Sequence, residues 1–206
     1  MIITISREFG SGGREIGKRL ADAYGIPCYD HQIMEMVAQA HGFDRSYVEH
    51  LSEKDTGVFY ASTIGRGFSM PNQIMMQSAQ ITAAEHDIIR EIAKKGDCVI
   101  VGRCADIILE ELNPFRIFVY ADDESKLARC RERAKGSEAE LSDKSMLRKI
   151  KAIDKRRRSY RAMFSDKLWG KASSYDLCVN TSGRSIKSVV DGIVAYIDSV
   201  NAEKAD

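Results

Sequence analysis

Short apolar runs alternate with longer amphipathic segments along this chain. Five runs have the length of buried strands, and in chain order they are 2–5, 26–30, 98–101, 116–120 and 177–181. Between them, apolar residues recur three and four positions apart, which is the spacing of a helix with one buried face. Strands that alternate with helices form parallel sheets covered by helices. The pattern therefore predicts an α/β fold, with a five-stranded parallel sheet and helices on both faces.

Two segments interrupt this alternation. The first segment covers residues 31–95. It contains helical patterns over 31–41 and 44–51, a loop over 52–70 and a long helix that opens at Ser69. The second covers residues 137–165 and contains a helix that Ser142 can cap. Long loops inside a compact domain are usually functional or mobile. We therefore interpret both segments as additions to a single domain over residues 1–206.

Length and composition fit one globular domain. The 206 residues are 44% hydrophobic, which is enough for one core. The formal net charge is +1, so no global field attracts nucleic acid or a membrane surface. No apolar run approaches the length of a membrane span. We expect neither a nucleic-acid nor a membrane partner, and the pattern carries no signal for an oligomeric state.

The cysteines predict a reducing compartment. The five cysteines contain no C-x-x-C pair, and three of them lie in predicted strands: Cys28, Cys98 and Cys178. Buried, reduced thiols fit the cytoplasm. The chain also opens on a strand pattern rather than on a signal peptide. We therefore expect a cytoplasmic protein.

A glycine-rich loop follows the first strand. Three glycines occupy four positions in Gly10-Ser11-Gly12-Gly13, and a helical pattern begins just after them. Glycines let backbone N–H groups approach an anion, and the N-terminus of a helix adds a partial positive charge. This order of elements predicts a phosphate-binding loop over residues 10–14. The alternative is a plain glycine turn between a strand and a helix.

The loop departs from the Walker A pattern, which ends in Gly-Lys-Ser/Thr. In that pattern the lysine binds the β- and γ-phosphates, and the hydroxyl binds Mg²⁺. If Gly13 is the last loop glycine, Arg14 replaces the lysine and Glu15 replaces the hydroxyl. If Gly12 is the last one, the lysine position is Gly13 itself. Both alignments leave the loop without its usual lysine.

Polar residues also follow the second and third strands, at the edge where open parallel sheets bind ligands. Asp30 is a candidate for substrate binding or, alternatively, an N-cap for the helix that begins at Gln32. His31 is predicted to be a bystander. Arg103 can bind a phosphate or carboxylate with its planar fork. Alternatively, Arg103 forms an ion pair at the surface with Asp106. Asp106 is itself a candidate for substrate binding.

The segment 144–161 is strongly basic within a nearly neutral protein. Lys or Arg occupies positions 144, 148, 149, 151, 155, 156, 157, 158 and 161, against Asp143 and Asp154. Such a run is most often a solvated helix face. The alternatives are a clamp on the phosphates of a nucleotide and a nucleic-acid surface. Because like charges three and four positions apart repel, we expect this helix to be loosely held and open without an anion.

Three stretches together resemble the cytidylate kinase-like family, which is related to bacterial cytidylate kinases. They are Ile5-Ser6-Arg7-Glu8-Phe9-Gly10-Ser11-Gly12-Gly13-Arg14-Glu15-Ile16, then Val101-Gly102-Arg103-Cys104-Ala105-Asp106, then Asp154-Lys155-Arg156-Arg157 with Tyr175-Asp176-Leu177-Cys178-Val179-Asn180-Thr181. The layout resembles nucleoside monophosphate kinases, with a monophosphate-binding insertion (31–95) and a lid (137–165). The resemblance implies a three-layer P-loop kinase fold and ATP-dependent phosphorylation of CMP or dCMP with Mg²⁺.

The resemblance also implies a role for each candidate residue. The donor phosphates would be bound by Gly10, Ser11, Gly12, Gly13, Arg14 and Glu15. Among these, Arg14 would supply the missing cation, and Glu15 would be an outer ligand of a Mg²⁺ ion held by phosphates and water. The residues that close over the transferring phosphoryl group would be Lys155, Arg157 and Arg161. The acceptor would be bound by Arg103 at its phosphate and by Asp30 at its sugar or base, with Asp106 beside them.

Two departures from the family pattern keep other functions open. The Gly-Arg-Asp that follows the third strand in cytidylate kinases is Gly102-Arg103-Cys104 here, and the Walker lysine is absent. One alternative is a phosphotransferase that acts on a different small substrate. The other is a nucleotide-binding sensor that lost turnover together with its lysine.

Overall fold

The computed structural model describes residues 1–42, 44 and 73–203. The strands within this part are β1 (Ile2–Arg7), β2 (Cys28–Tyr29), β3 (Cys98–Val101), β4 (Phe115–Tyr120) and β5 (Leu177–Asn180). The α-helices are α1 (Gly13–Tyr24), α2 (Gln32–His41), α3 (Gln73–Lys94), α4 (Ala105–Ile108), α5 (Asp123–Arg133), α6 (Asp143–Ala162) and α7 (Ile186–Glu203). Among these helices, none combines the length and the apolar character needed to cross a membrane.

The described strands form one sheet in the order β2-β3-β1-β4-β5. In the central strand β1, Ile3 pairs with Val99 of β3 on one side and with Phe115 of β4 on the other. Every neighbouring pair is parallel, so all the carboxyl ends lie at one edge. The ends of β1 and β3 are adjacent at that edge. This arrangement places the glycine loop beside the turn over residues 102–104, where parallel sheets bind ligands.

Helices cover both faces of the sheet because successive side chains of a strand point in opposite directions. Val99 and Val101 of β3 pack on the face covered by α1 and α7, whereas Cys98 and Ile100 pack against α2, α3 and α4. All four side chains are at most 1% exposed. A strand that is buried on both faces has to be apolar throughout, which explains the composition of this run. The predicted three-layer α/β fold is confirmed.

The element bounds differ from the predicted ones by one or two residues. The predicted strand over residues 26–30 shortens to β2, and the first strand lengthens to include Arg7. Ser142 caps α6 as predicted, and Asp122 caps α5. Each cap accepts a hydrogen bond from the backbone N–H three residues further on.

Part of the insertion lies outside the described residues. The undescribed part contains the predicted helix over 44–51 (except residue 44), the loop over 52–70 and the helix start at Ser69. The described part of the insertion is α2 and α3, which pack together. Their shared contacts include Met34 and Val37 from α2 and Ile81 from α3.

Candidate active site

The glycine loop runs from the end of β1 into α1, and one of its positions requires glycine. Gly12 precedes α1 with a φ of 87°, and a Cβ there would lie 2.5 Å from Cδ1 of Ile186 in α7. Residues with a Cβ rarely adopt this backbone conformation, so the conformation requires glycine, and a Cβ would also displace the end of the Ile186 side chain. Oγ1 of Thr181 donates a hydrogen bond to the carbonyl of Ser11 at 2.8 Å. That bond ties the loop to the end of β5.

The loop presents free hydrogen-bond donors at the N-terminus of α1. Among the described residues, no acceptor takes a hydrogen bond from the backbone N–H groups of residues 12–15. The first N–H groups of a helix have no partner within it, and the helix dipole favours an anion there. The Ser11 hydroxyl, in contrast, is buried and donates to the carbonyl of Glu8 at 2.8 Å. Ser11 therefore offers a phosphate its backbone rather than its side chain.

Two cavities open beside this loop within the described part of the chain. The loop cavity, of about 210 Å³, lies between the glycine loop, α5 and α6, and its lining includes Gly10, Gly12, Gly13, Arg129, Arg133 and Lys149. The strand-end cavity, of about 260 Å³, has a lining that includes Asp30, His31, Arg103, Ile153, Arg156 and Tyr160. Four residues line both cavities, namely Arg7, Phe9, Arg14 and Arg157. The two cavities therefore meet at an arginine cluster.

Asp30 is the acidic centre of the strand-end cavity. Its Oδ2 lies 2.5 Å from Nε of Arg14, and its Oδ1 lies 3.7 Å from Nη2 of Arg7. His31 occupies the N-cap position of α2, and no side chain caps that helix. The capping alternative for Asp30 is therefore wrong, because its carboxylate pairs with arginines instead. His31, predicted to be a bystander, lines the cavity and contacts Arg14.

The turn after β3 positions Arg103 at the strand-end cavity. Gly102, Arg103 and Cys104 have positive φ angles of 82°, 55° and 50°, a conformation that is costly for residues with side chains. Nη1 of Arg103 lies 3.6 Å from Oε2 of Glu85 in α3, whose side chain is 1% exposed. Burial raises the pKa of Glu85, and the Arg103 charge opposes that rise. Arg103 therefore pairs with Glu85 and not with Asp106.

Asp106 and Arg161 form a buried ion pair with each other. Nη1 of Arg161 donates to Oδ2 of Asp106 at 2.5 Å, and the two side chains are 1% and 3% exposed. Nε of Arg161 also donates to the carbonyl of Lys167 at 2.8 Å. Neither Asp106 nor Arg161 lines the loop cavity or the strand-end cavity. Their positions contradict the predicted contacts with substrate and with the transferring group, because each charge is engaged by the other in the core.

Helix α6 is tied to the core along its inward face. Oδ1 of Asp154 accepts a hydrogen bond from the N–H of Phe9 at 2.7 Å, and Nη1 of Arg157 donates to the carbonyl of Arg7 at 3.0 Å. With the buried Arg161, these contacts span about two helical turns. Burial raises the pKa of Asp154 to about 6, although the Phe9 N–H and the Arg157 charge oppose the rise. In this structure the helix is docked on the core rather than open.

A model of the cytidylate kinase-like family matches residues 2–183 of this chain. The chain belongs to the cytidylate kinase-like family. An uncharacterized protein from Eubacterium ventriosum ATCC 27560 has a similar crystal structure, with 29% identity and a TM-score of 0.69. The match covers 97% of this chain and 99% of that one. A search of curated proteins finds no match.

More distant solved structures share the fold of this family member. Shikimate kinase from Bacteroides thetaiotaomicron is 14% identical with a TM-score of 0.55, and the match covers 96% of this chain and 98% of that one. Deoxyadenosine kinase from M. mycoides with bound dATP is 11% identical with a TM-score of 0.53, and the match covers 96% and 100%. At these identities the likeness shows the P-loop kinase fold alone. Family and fold together support a nucleotide or small-molecule kinase.

Besides Asp106 and Arg161, two other residues predicted from the family resemblance lie outside both cavities. Lys155 is exposed on the outer face of α6 and lines neither cavity. Glu15 also lines neither, and its carboxylate pairs with Arg19 at 3.0 Å and with Arg133 at 3.2 Å. Within the described ranges, no group of three His, Cys, Asp or Glu side chains is placed to hold a metal ion.

Arg7 is a cavity residue of this family member that the sequence reasoning missed. It is the last residue of β1, and its side chain is 19% exposed. Burial and the neighbouring Arg157 charge lower the pKa of Arg7 to about 9, against the opposing effect of Asp30. The rule that singled out Asp30 and Arg103, a polar residue at the end of a parallel strand, would have found Arg7. The predicted strand ended too early, at residue 5.

Phe9 and Arg129 were also missed, and their roles depend on contacts far apart in the chain. The guanidinium of Arg157 lies 5.7 Å from the centre of the Phe9 ring. Nη1 of Arg129 donates to the carbonyl of Gly10 at 3.4 Å and to Oγ1 of Thr181 at 3.1 Å. Arg129 therefore braces the glycine loop from α5. No local sequence pattern marks such a brace.

Proposed function

We propose that the protein is an ATP-dependent nucleoside monophosphate kinase that acts on CMP or dCMP. An oxygen of the acceptor phosphate attacks the γ-phosphorus of ATP, and the bond from that phosphorus to the bridging oxygen of ADP breaks. The products are ADP and CDP or dCDP. Transfer of this kind needs positioning and positive charge more than covalent chemistry. The preference for cytosine is proposed from family membership alone.

The observation that carries the proposal is the junction of two cavities at one arginine cluster. The loop cavity contains the free N–H groups at the start of α1, which suit a triphosphate. The strand-end cavity contains Arg103, which suits a monophosphate. Arg7 and Arg157 line both cavities, so positive charge is concentrated where a phosphoryl group would pass between them. Cations there stabilise the charge spread over the oxygens of that group.

On the donor side, the backbone of residues 10–14 would bind the phosphates of ATP. Arg14 would add a guanidinium, and its side chain, which is 57% exposed, can reorient when ATP arrives. Arg133 and Lys149 would add positive charge further along the loop cavity. These groups together would hold the γ-phosphoryl at the junction.

On the acceptor side, Arg103 would bind the phosphate of the monophosphate. Glu85 lies behind it at 3.6 Å and would hold its guanidinium in place. Asp30 would orient Arg14 and Arg7 and would accept a hydrogen bond from the acceptor's sugar or base. Because Arg157 is already docked on the core, it would meet the transferring group without a large movement of α6.

The described residues fit Mg²⁺ as an ion held by the phosphates of ATP and by water. Mg²⁺ commonly keeps several waters and takes few protein carboxylates in such sites. When bound, it would neutralise part of the charge on the β- and γ-phosphates.

A coupled assay of ADP formation tests this proposal with a panel of acceptors: CMP, dCMP, UMP, AMP, GMP and shikimate. We expect turnover with CMP and dCMP at least about tenfold above every other acceptor. Faster turnover with another compound would identify that compound, and not CMP or dCMP, as the acceptor. ATP binding without turnover on any acceptor would overturn the kinase proposal in favour of a nucleotide sensor. An Arg157→Ala variant purified in the same way identifies turnover that comes from a contaminating kinase.

A further inference from the structure

Arg7 fills the space that a side chain at position 13 would need. A Cβ added to Gly13 would lie 2.6 Å from Cβ and 2.9 Å from Cγ of Arg7, which is closer than such atoms approach. Helix α1 begins at Gly13, and Gly12 is the last residue of the loop. Of the two alignments with the Walker A pattern, this geometry fits the one in which Gly13 stands at the lysine position.

The rest of the Arg7 side chain passes a second glycine. Gly102 follows β3 with a φ of 82°, and a Cβ there would lie 2.7 Å from Cζ of Arg7 and would collide with Nη1. Gly13 and Gly102 thus leave a passage for one arginine between α1 and β3. At the end of that passage, the guanidinium lines both cavities.

The guanidinium of Arg7 is weakly neutralised by the described residues. Its side chain donates no hydrogen bond among them, and its ion-pair partner Asp30 lies 3.7 Å away and is held more closely by Arg14, at 2.5 Å. Arg103 and Arg157 add further positive charge around it. A largely buried cation with poor pairing is costly. An anion in the adjoining cavities would offset that cost and would receive charge-assisted hydrogen bonds from the guanidinium.

We propose that Arg7 is the phosphate-binding cation of this loop, supplied from the end of β1 instead of from the start of α1. The proposal rests on the proposed function, because it takes the anion to be a nucleotide phosphate. A guanidinium fork binds two oxygens at once, whereas a lysine is a point charge. Because Arg7 lines both cavities, it can contact the donor's γ-phosphate and the acceptor's phosphate together. Arg14, with its exposed side chain, is then the weaker of the two loop cations.

The first test is the dissociation constant of ATP and of inorganic triphosphate, measured by calorimetry. We expect Arg7→Ala to weaken both at least about tenfold, and Arg14→Ala to weaken them less. Lys18→Ala, which removes one charge from the exposed face of α1, is the matched control and should leave both constants unchanged. Thermal unfolding checks that each variant is folded. Unchanged affinity in folded Arg7→Ala overturns the proposal.

The second test exchanges the position of the cation. Gly13→Lys alone should bind ATP poorly, because the new side chain collides with Arg7. The double variant Arg7→Gly with Gly13→Lys removes both atoms that a side chain at position 13 would meet, Cβ and Cγ of Arg7, and should recover at least about tenfold in ATP affinity over Arg7→Gly. A merely structural role for Arg7 would give no such recovery, so a folded double variant no better than Arg7→Gly overturns the proposal. If the double variant does not fold, the Arg7→Ala constants decide.

Failure of this inference and failure of the proposed function give different results. ATP binding is measured without an acceptor, so the Arg7 experiment is decided even if no acceptor is phosphorylated. Turnover of CMP with unchanged ATP affinity in Arg7→Ala would overturn the role of Arg7 and leave the kinase intact. Loss of triphosphate affinity in that variant, without turnover in the wild type, would support Arg7 and overturn the kinase.

Discussion

The two faces of α6 carry similar charged residues in different surroundings. On the inward face, Asp154, Arg157 and Arg161 contact the glycine loop, the end of β1 and α4. The outward face is exposed, and its basic members are Lys144, Arg148, Lys151, Lys155 and Arg158, whereas Arg156 is exposed but lines the strand-end cavity. The helical period therefore divides this basic run into residues that anchor α6 and residues that face solvent.

That division was available in the sequence. Met146 and Ile150 mark the buried stripe of α6, and the next positions on the same stripe are 154, 157 and 161. Lys155 lies about 100° away from Asp154 around the helix and therefore faces solvent. As one patch of like charges, the run predicts a loosely held helix. The inward residues instead anchor it.

The largest expected effect of breaking the inward face is on stability. Arg161→Ala leaves Asp106 buried without its partner, which should lower the free energy of unfolding by about 3–5 kcal/mol. Urea denaturation measures the loss. The control is the double variant Arg161→Met with Asp106→Leu, which removes both charges and should be nearly as stable as the wild type. A loss below about 1 kcal/mol in Arg161→Ala would show that the pair is not buried in solution.

Arg157 and Lys155 give the sharpest functional comparison between the two faces. Arg157→Ala should lower kcat by about 10²–10³, equivalent to roughly 2.7–4 kcal/mol, with little change in KM, because its charge acts on the transferring group. Lys155→Ala removes the same charge from the outward face and should keep kcat within about twofold. Steady-state kinetics on both variants decides the matter. Equal decreases of kcat in the two variants would show that the two faces of α6 do not differ in function.

The smallest expected effect concerns the pH dependence of Asp154. Its pKa is raised to about 6 by burial, so the folded state favours the protonated form and loses stability from this group as pH rises through 6. Asp154→Asn keeps an acceptor for the Phe9 N–H without that loss. The variant should match the wild type near pH 3 and exceed its unfolding free energy by about 2–3 kcal/mol at pH 8. If denaturation measurements show that the unfolding free energy of the wild type rises relative to that of the variant as the pH increases, the prediction is wrong.

The fold could be predicted to a large extent because its signals are local. A buried parallel strand such as β3 is a continuous apolar run, and caps such as Ser142 act within three residues. The position of Arg7 in the site was not predicted, because β1 extends past its apolar residues into polar residues at the edge of the sheet. Asp106 and Arg161 were misassigned because their pairing joins α4 to α6 across more than fifty residues. A charge that is paired in the core looks the same in sequence as one that faces a ligand.

The binding of an adenosine–cytidine pentaphosphate, measured by calorimetry, tests most directly whether the two cavities form one phosphoryl-transfer site. This compound joins a donor and an acceptor through a phosphate chain that would pass the arginine cluster. The account predicts one molecule bound per chain, at least about a hundredfold tighter than ATP or CMP alone, because one association event fills both cavities. Affinity no higher than that of ATP, or competition between ATP and CMP for one site, would contradict it.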